Sequence, residues 1–165
     1  MILATVGTQL PFPRLIYALD RIAPDLGEKI IAQTGKIDGP LHNIEHCESV
    51  APKAFDALFR EARVVVSHAG IGTVIAAKKY SKPIILFPRR AALGEHRNDH
   101  QLATANQLRH HPGVYIAWDE AELKHLLSMA LDEPALTEGA ALVQLRQHIN
   151  QFIGSHGAHP PASKA

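Results

Sequence analysis

Val64-Val65-Val66-Ser67-His68-Ala69-Gly70-Ile71-Gly72-Thr73 is the stretch on which the fold turns. A β-branched run stops at a glycine-rich turn and an apolar helical pattern follows from Val74 to Lys79. A second strand pattern, Lys82-Pro83-Ile84-Ile85-Leu86-Phe87-Pro88, begins almost at once. Continuous apolar runs of this kind suit strands covered on both faces of a parallel sheet. Strand, glycine turn, helix and parallel strand is a layout that holds diphosphates. The first helical turn has N–H groups with no partner and the positive end of the helix dipole, and glycines let an anion come close. Gly70 and Gly72 suit that role, and Thr73 adds a hydroxyl donor. Glycine turns also serve tight helix–sheet packing, so the turn by itself leaves both readings open.

Working outward, strand patterns fall at 2–6, 29–33, 64–67, 83–87 and 114–117, with a weaker one at 42–47. Helical patterns fall at 12–22, 52–61, 72–79, 97–108, 120–131 and 135–152. The alternation, with short Gly/Pro turns, predicts an α/β fold: a Rossmann-like parallel sheet with helices on both faces. Asp119 stands where an N-cap belongs, with Glu122 three positions on as in a capping box. One domain is expected over 1–153. Residues 154–165 have no periodicity and contain adjacent prolines, which predicts a disordered tail.

Composition narrows the function classes. The chain has 165 residues, 46% apolar and 20% charged, enough for a full hydrophobic core. A formal net charge of +1 argues against a nucleic-acid partner, which asks for a larger and clustered basic excess. The single cysteine, Cys47, suits a reducing cytoplasm and reads as a small buried residue. No apolar run approaches the roughly 18 residues of a membrane span. The opening segment lacks a basic leader and reads as the first buried strand.

After Pro88 comes Arg89-Arg90, then Gly94-Glu95-His96-Arg97-Asn98-Asp99-His100-Gln101. This polar block follows the carboxyl end of a predicted strand, where open α/β sheets place ligands. Arg89 or Arg90 can meet a phosphate with a guanidinium fork, or the two can be a solvated surface pair. Asn98, Asp99, His100 and Gln101 can hydrogen-bond sugar hydroxyls, and Asn98 or Asp99 can equally cap a helix. His96 and His100, four apart, share a face if the segment is helical. No third ligand stands at a motif-like distance, and no metal is expected.

Together these segments resemble glycosyltransferase family 28, the MurG-like group, in its donor-binding half. The likeness rests on Ser67-His68-Ala69-Gly70-x-Gly72-Thr73, Lys82-Pro83-Ile84, Pro88-Arg89-Arg90 and His100-Gln101-x-x-x-Ala105. It rests also on Ala4-Thr5-Val6-Gly7-Thr8 followed by Pro11-Phe12-x-Arg14-Leu15, and it covers most of residues 1–130. It is nearest to single-domain members that work beside a separate membrane-associated partner. The resemblance implies the C-terminal half of a GT-B fold and an inverting, metal-independent transfer of a hexosyl group. The donor would be a UDP-sugar and the acceptor lipid-linked, in polysaccharide biosynthesis. It further implies a cytoplasmic chain, recruited to the inner face of the membrane by a subunit that binds the acceptor and carries the general base. No cofactor beyond the donor is implied. A non-catalytic nucleotide-binding module and an epimerase-like UDP-sugar enzyme are the alternatives.

The resemblance also distributes roles. It implies catalytic positions at His68 and His100, although His68 read alone is equally a core histidine bonded to backbone. Donor contacts are implied at Gly7, Thr8, Gly70, Gly72, Thr73, Arg89, Asn98, Asp99 and Gln101; without it, Gly7 and Thr8 read as a turn before Pro11. One position departs from the pattern. Ala76 stands where the family has an acidic residue that grips the ribose hydroxyls. Ribose recognition must therefore differ, or come from Glu95 or Asp99.

Overall fold

The computed structural model describes residues 1–134. The helix expected at 135–152, the tail at 154–165 and the domain boundary between them lie outside the described residues.

Six parallel strands form one sheet in the order β3-β2-β1-β4-β5-β6. They are β1 (Ile2–Thr5), β2 (Ile30–Gln33), β3 (Glu45–Cys47), β4 (Val64–Ser67), β5 (Ile84–Leu86) and β6 (Val114–Ile116). The helices are α1 (Pro13–Leu26), α2 (Pro52–Glu61), α3 (Ile71–Lys79), α4 (His100–Leu108) and α5 (Glu120–Leu127), with a 3-10 turn at Ala91–Leu93. This is the expected Rossmann-like α/β architecture. Chain order reverses between β1 and β4, which pair in register from Ile2↔Val64 to Thr5↔Ser67. The loops after these two strands diverge from the reversal and leave a crevice at their carboxyl ends.

Alternation along the strands divides the core. Ile2, Ala4, Val6, Ile30, Ala32, Val64, Val66, Ile85 and Phe87 join one cluster with the buried faces of α1 and α5. Leu3, Val65, Ile84 and Leu86 are equally buried but lie outside that cluster. Side chains of period two point to opposite faces, so these belong to the second side of the sheet.

Four boundaries differ from the sequence pattern, each for a local reason. α1 continues through Pro24 to Gly27, which is left-handed at φ 63°. Proline has no N–H for the Asp20 carbonyl, and Asn43 Nδ2 donates to that carbonyl instead at 2.9 Å. The same loop shortens β3, because His42 and Asn43 give their backbone N–H groups to Asp20 Oδ1 at 2.9 and 2.8 Å rather than to the sheet. α4 starts at His100, three residues later than the pattern. The Asn98 side chain accepts from His100 N at 3.3 Å and the Asp99 carboxylate turns back to Ala91 N at 2.9 Å. α5 ends at Leu127, where Ser128 Oγ donates to the Lys124 carbonyl at 2.8 Å. At its start Asp119 Oδ1 accepts from Glu122 N at 2.9 Å, as expected of the N-cap. The Glu122 carboxylate returns to Trp118 N at 2.8 Å, one residue before the position a capping box uses.

Candidate functional site

A cleft of about 580 Å³ opens at the carboxyl ends of β1 and β4. Eight of the eleven residues expected there line it: Gly7, Thr8, His68, Gly70, Gly72, Thr73, Arg89 and Gln101. Asn98, Asp99 and His100 do not. The first two are engaged in the loop contacts described above. His100 is the first residue of α4, so His96 stands before the helix rather than one turn along its face. Among the described residues no group of three or more His, Cys, Asp or Glu side chains is disposed to hold a metal.

The β4 wall presents the start of α3. No side chain caps this helix, and its first turn contains no acidic residue. The N–H groups of Ile71, Gly72 and Thr73 therefore have no acceptor within the helix and carry its positive end. A Cβ at Gly72 would meet nothing within 4 Å, so the space in front of this turn belongs to the cleft.

Gly70 and Gly7 have a different reason to be glycine. A Cβ on Gly70 would lie 2.3 Å from His68 Nε2, and one on Gly7 would lie 2.7 Å from His68 Cε1. The imidazole is sandwiched between the two loops, with Nδ1 3.3 Å from Ser67 Oγ. Gly7 also holds φ at +77°, a conformation strained for residues with a Cβ. Burial chiefly, and then the charge of Arg89, push the His68 pKa down to about 4, against a backbone hydrogen bond to Thr5 that raises it. The ring is neutral at pH 7. It serves as a hydrogen-bonding group between the loops and not as a countercharge.

The positive charge in the cleft is Arg89, only 2% exposed. Its Nη2 donates to the carbonyls of Val6 at 2.9 Å and Leu10 at 2.7 Å, tying the loop after β5 to the loop after β1. Its guanidinium carbon sits 4.8 Å from the centroid of the Phe12 ring. Its Nε is buried without a hydrogen-bond partner. Burial lowers the Arg89 pKa and Glu95 opposes the shift. Gln101 Oε1 accepts from Arg89 N at 3.1 Å, so the glutamine lines the cleft and fixes the arginine at once. Arg90 faces elsewhere, donating to the Trp118 carbonyl at 2.5 Å.

Gln33, Ser49 and Phe55, unmarked in the sequence, also line the cleft, as does His96, which the sequence offered only as a metal ligand. Gln33 Nε2 donates to the carbonyls of Gly7 and Glu48, both at 3.1 Å, and its Oε1 accepts from Thr5 Oγ1 at 2.6 Å. A polar residue at the end of a buried strand was the signal available for it. Ser49 and Phe55, beyond β3, have no motif to mark them.

Neither carboxylate considered for ribose is available. Glu95 pairs with Arg14 through two bonds, Nε to Oε1 at 2.6 Å and Nη2 to Oε2 at 2.9 Å, and also accepts from Arg90 N at 2.9 Å. Arg14 in turn lies 4.3 Å from the Phe87 ring centroid. Glu95 thus clamps the loop after β5 to α1, and Asp99 holds the 3-10 turn.

None of the curated proteins matches this chain. In structure it is similar to the NMR solution structure of ALG13, with a TM-score of 0.62 and 16% identity, over 95% of this chain and 96% of that one. It is also similar to the glycotransferase of kitacinnamycin (TM-score 0.59, 16% identity) over 95% of this chain and 40% of that one. A third is the UDP-glucose: anthocyanidin 3-O-glucosyltransferase in complex with UDP (TM-score 0.58, 13% identity), over 95% and 36%. The chain thus spans about two fifths of the length of such larger enzymes. At these identities the likeness is one of fold. The family rests on sequence: residues 1–151 match the glycosyltransferase family 28 C-terminal domain. With the reversal cleft and its glycine turn standing where that match runs, the chain is a member of glycosyltransferase family 28.

Proposed function

We propose that this chain is the donor-binding catalytic subunit of a two-component inverting glycosyltransferase. It would move a hexosyl group from a UDP-sugar to a lipid-linked acceptor in polysaccharide biosynthesis. The observation that carries the reading is the pairing of an uncapped α3 N-terminus, open in front of Gly72, with the buried Arg89 in one cleft. N–H donors and a desolvated guanidinium are what a diphosphate requires. Phe55, Val50 and Pro52 offer an apolar wall toward α2 that suits a planar base, and Gln101 and His96 offer polar groups toward α4 that suit a sugar.

In the transfer, the acceptor hydroxyl oxygen bonds to the anomeric carbon while the bond from that carbon to the diphosphate oxygen breaks. The electron pair leaves with the diphosphate, and the amides of Ile71, Gly72 and Thr73 together with Arg89 stabilise the charge that develops. No metal is assigned to the step. The proton leaves the acceptor hydroxyl to a base on the partner subunit, a membrane-associated protein that binds the acceptor. Among the described residues no helix is long and apolar enough to cross a membrane; recruitment to the cytoplasmic face is assigned to that partner.

Calorimetric titration of the full chain with UDP, and then with a panel of UDP-hexoses, tests the reading. UDP is expected to bind, and Gly72→Val to weaken it at least about tenfold with no loss of stability, because the new side chain enters only the cleft and glycine is a poor helix former. Unchanged UDP affinity in Gly72→Val overturns the site. Efficient sugar transfer by this polypeptide alone overturns the two-component reading.

A further inference from the structure

A second cavity of about 310 Å³ adjoins the main cleft and shares with it Gly7, Thr8, Gln9, Leu10, Gln33 and Ser49. It extends toward the carboxyl ends of β2 and β3, where Gly35, Lys36 and Glu48 join the lining. Among the described residues the main cleft is lined by no Asp or Glu, and Glu48 is the one acidic residue lining this extension. Its backbone is held, since its carbonyl accepts from Gln33 Nε2 and from Gly35 N, both at 3.1 Å. Its carboxylate has no hydrogen-bond or ion-pair partner among the described residues.

We propose that Glu48 is the residue that recognises the ribose of the nucleotide donor, accepting hydrogen bonds from its 2′- and 3′-hydroxyls. The inference rests on the donor reading above. A vicinal diol presents two O–H donors that a carboxylate accepts through its two oxygens. The residues from which such a carboxylate was expected do not supply it: Ala76 has none, Glu95 is bound by Arg14 and Asp99 by the backbone of Ala91. With the diphosphate on α3 and the base against Val50 and Phe55, the ribose lies between them, along the Ser49 edge that the two cavities share. Glu48 is the neighbour of Ser49 in the chain, and Gln33 fixes its carbonyl to the loop that ends β1.

The experiment compares dissociation constants of UDP and 2′,3′-dideoxy-UDP on the full chain, by calorimetry, for the unaltered protein and for Glu48→Ala. The unaltered protein is expected to prefer UDP by at least about tenfold, the scale of charge-assisted hydrogen bonds. Glu48→Ala is expected to bring the two ligands within about twofold by weakening UDP alone. The variant removes an exposed side chain that makes no hydrogen bond or ion pair among the described residues, so an unchanged denaturation midpoint is expected as well. A preference that persists in Glu48→Ala, or one absent from the unaltered protein, overturns the assignment and leaves the donor reading standing. Failure of the unaltered protein to bind UDP overturns both.

Discussion

His68 occupies a position that few residues can fill. Its ring lies where a Cβ on either flanking glycine would stand, and burial beside Arg89 keeps it uncharged down to about pH 4. The stability consequence has a definite sign. In the unfolded chain the imidazole takes up a proton near its ordinary value of 6.5, whereas the folded chain resists until about 4. Between those pH values the unfolded state binds more protons, so the stabilisation is complete above pH 6.5 and is lost as pH falls toward 4. A shift of this size corresponds to about 3 kcal/mol. Urea denaturation at pH 7 and pH 4.5 is expected to show a steeper loss for the unaltered protein than for His68→Asn, which does not titrate. Equal slopes would mean that the ring is solvated in the folded state. Glycine positions were legible in the sequence at this scale, but not their separate reasons. Gly70 yields to a neighbouring imidazole and Gly72 to open space, and no pattern of letters distinguishes the two.

Elements were legible where periodicity is strong and uncertain where a side chain from elsewhere completes them. β1, β4 and β5 announce themselves as buried runs. The far end of α1 does not, because the helical pattern stops at 22 while the helix runs on through Pro24, with Asn43 donating to the Asp20 carbonyl that the proline leaves free. That substitution of one donor for another is testable by a double-mutant cycle. Asn43→Ala is expected to cost about 1–2 kcal/mol in the unaltered protein, since it leaves a carbonyl unsatisfied. In a Pro24→Ala background the restored N–H supplies the missing bond, and the cost of Asn43→Ala is expected to fall by at least half. Additive costs in denaturant titrations would show that the Asn43 side chain acts for another reason. The late start of α4 has the same origin. Asp99 looks like a cap in sequence, but its carboxylate holds Ala91, and Glu95 looks like a ligand but holds Arg14. Polar residues committed to distant partners are what sequence spacing does not reveal.

For the whole molecule, strand order sets the site. The reversal between β1 and β4 creates the crevice, and Arg89 ties the loop after β5 to the loop after β1 beside it before any ligand arrives. The individual strand patterns give no view of that reversal, which depends on how the strands pair; it was implied only by the Rossmann-like expectation. A cleft so prearranged predicts that UDP stabilises the fold by mass action, about 2.7 kcal/mol at a hundredfold excess over Kd. This corresponds to a rise of about 5–10 °C in Tm on a thermal scan. Arg89→Ala is expected to abolish the rise and to lower Tm without ligand, because it removes both the charge and the tie. A rise retained in Arg89→Ala would locate the nucleotide away from this crevice.

The imidazole wedged between two glycines has a further consequence for how this sequence can drift. A descendant that exchanges His68 for a small residue frees position 70 to take on a side chain, while position 7 stays bound by its left-handed backbone. Mutational history at the first pair should therefore be joint, and at the second one-sided.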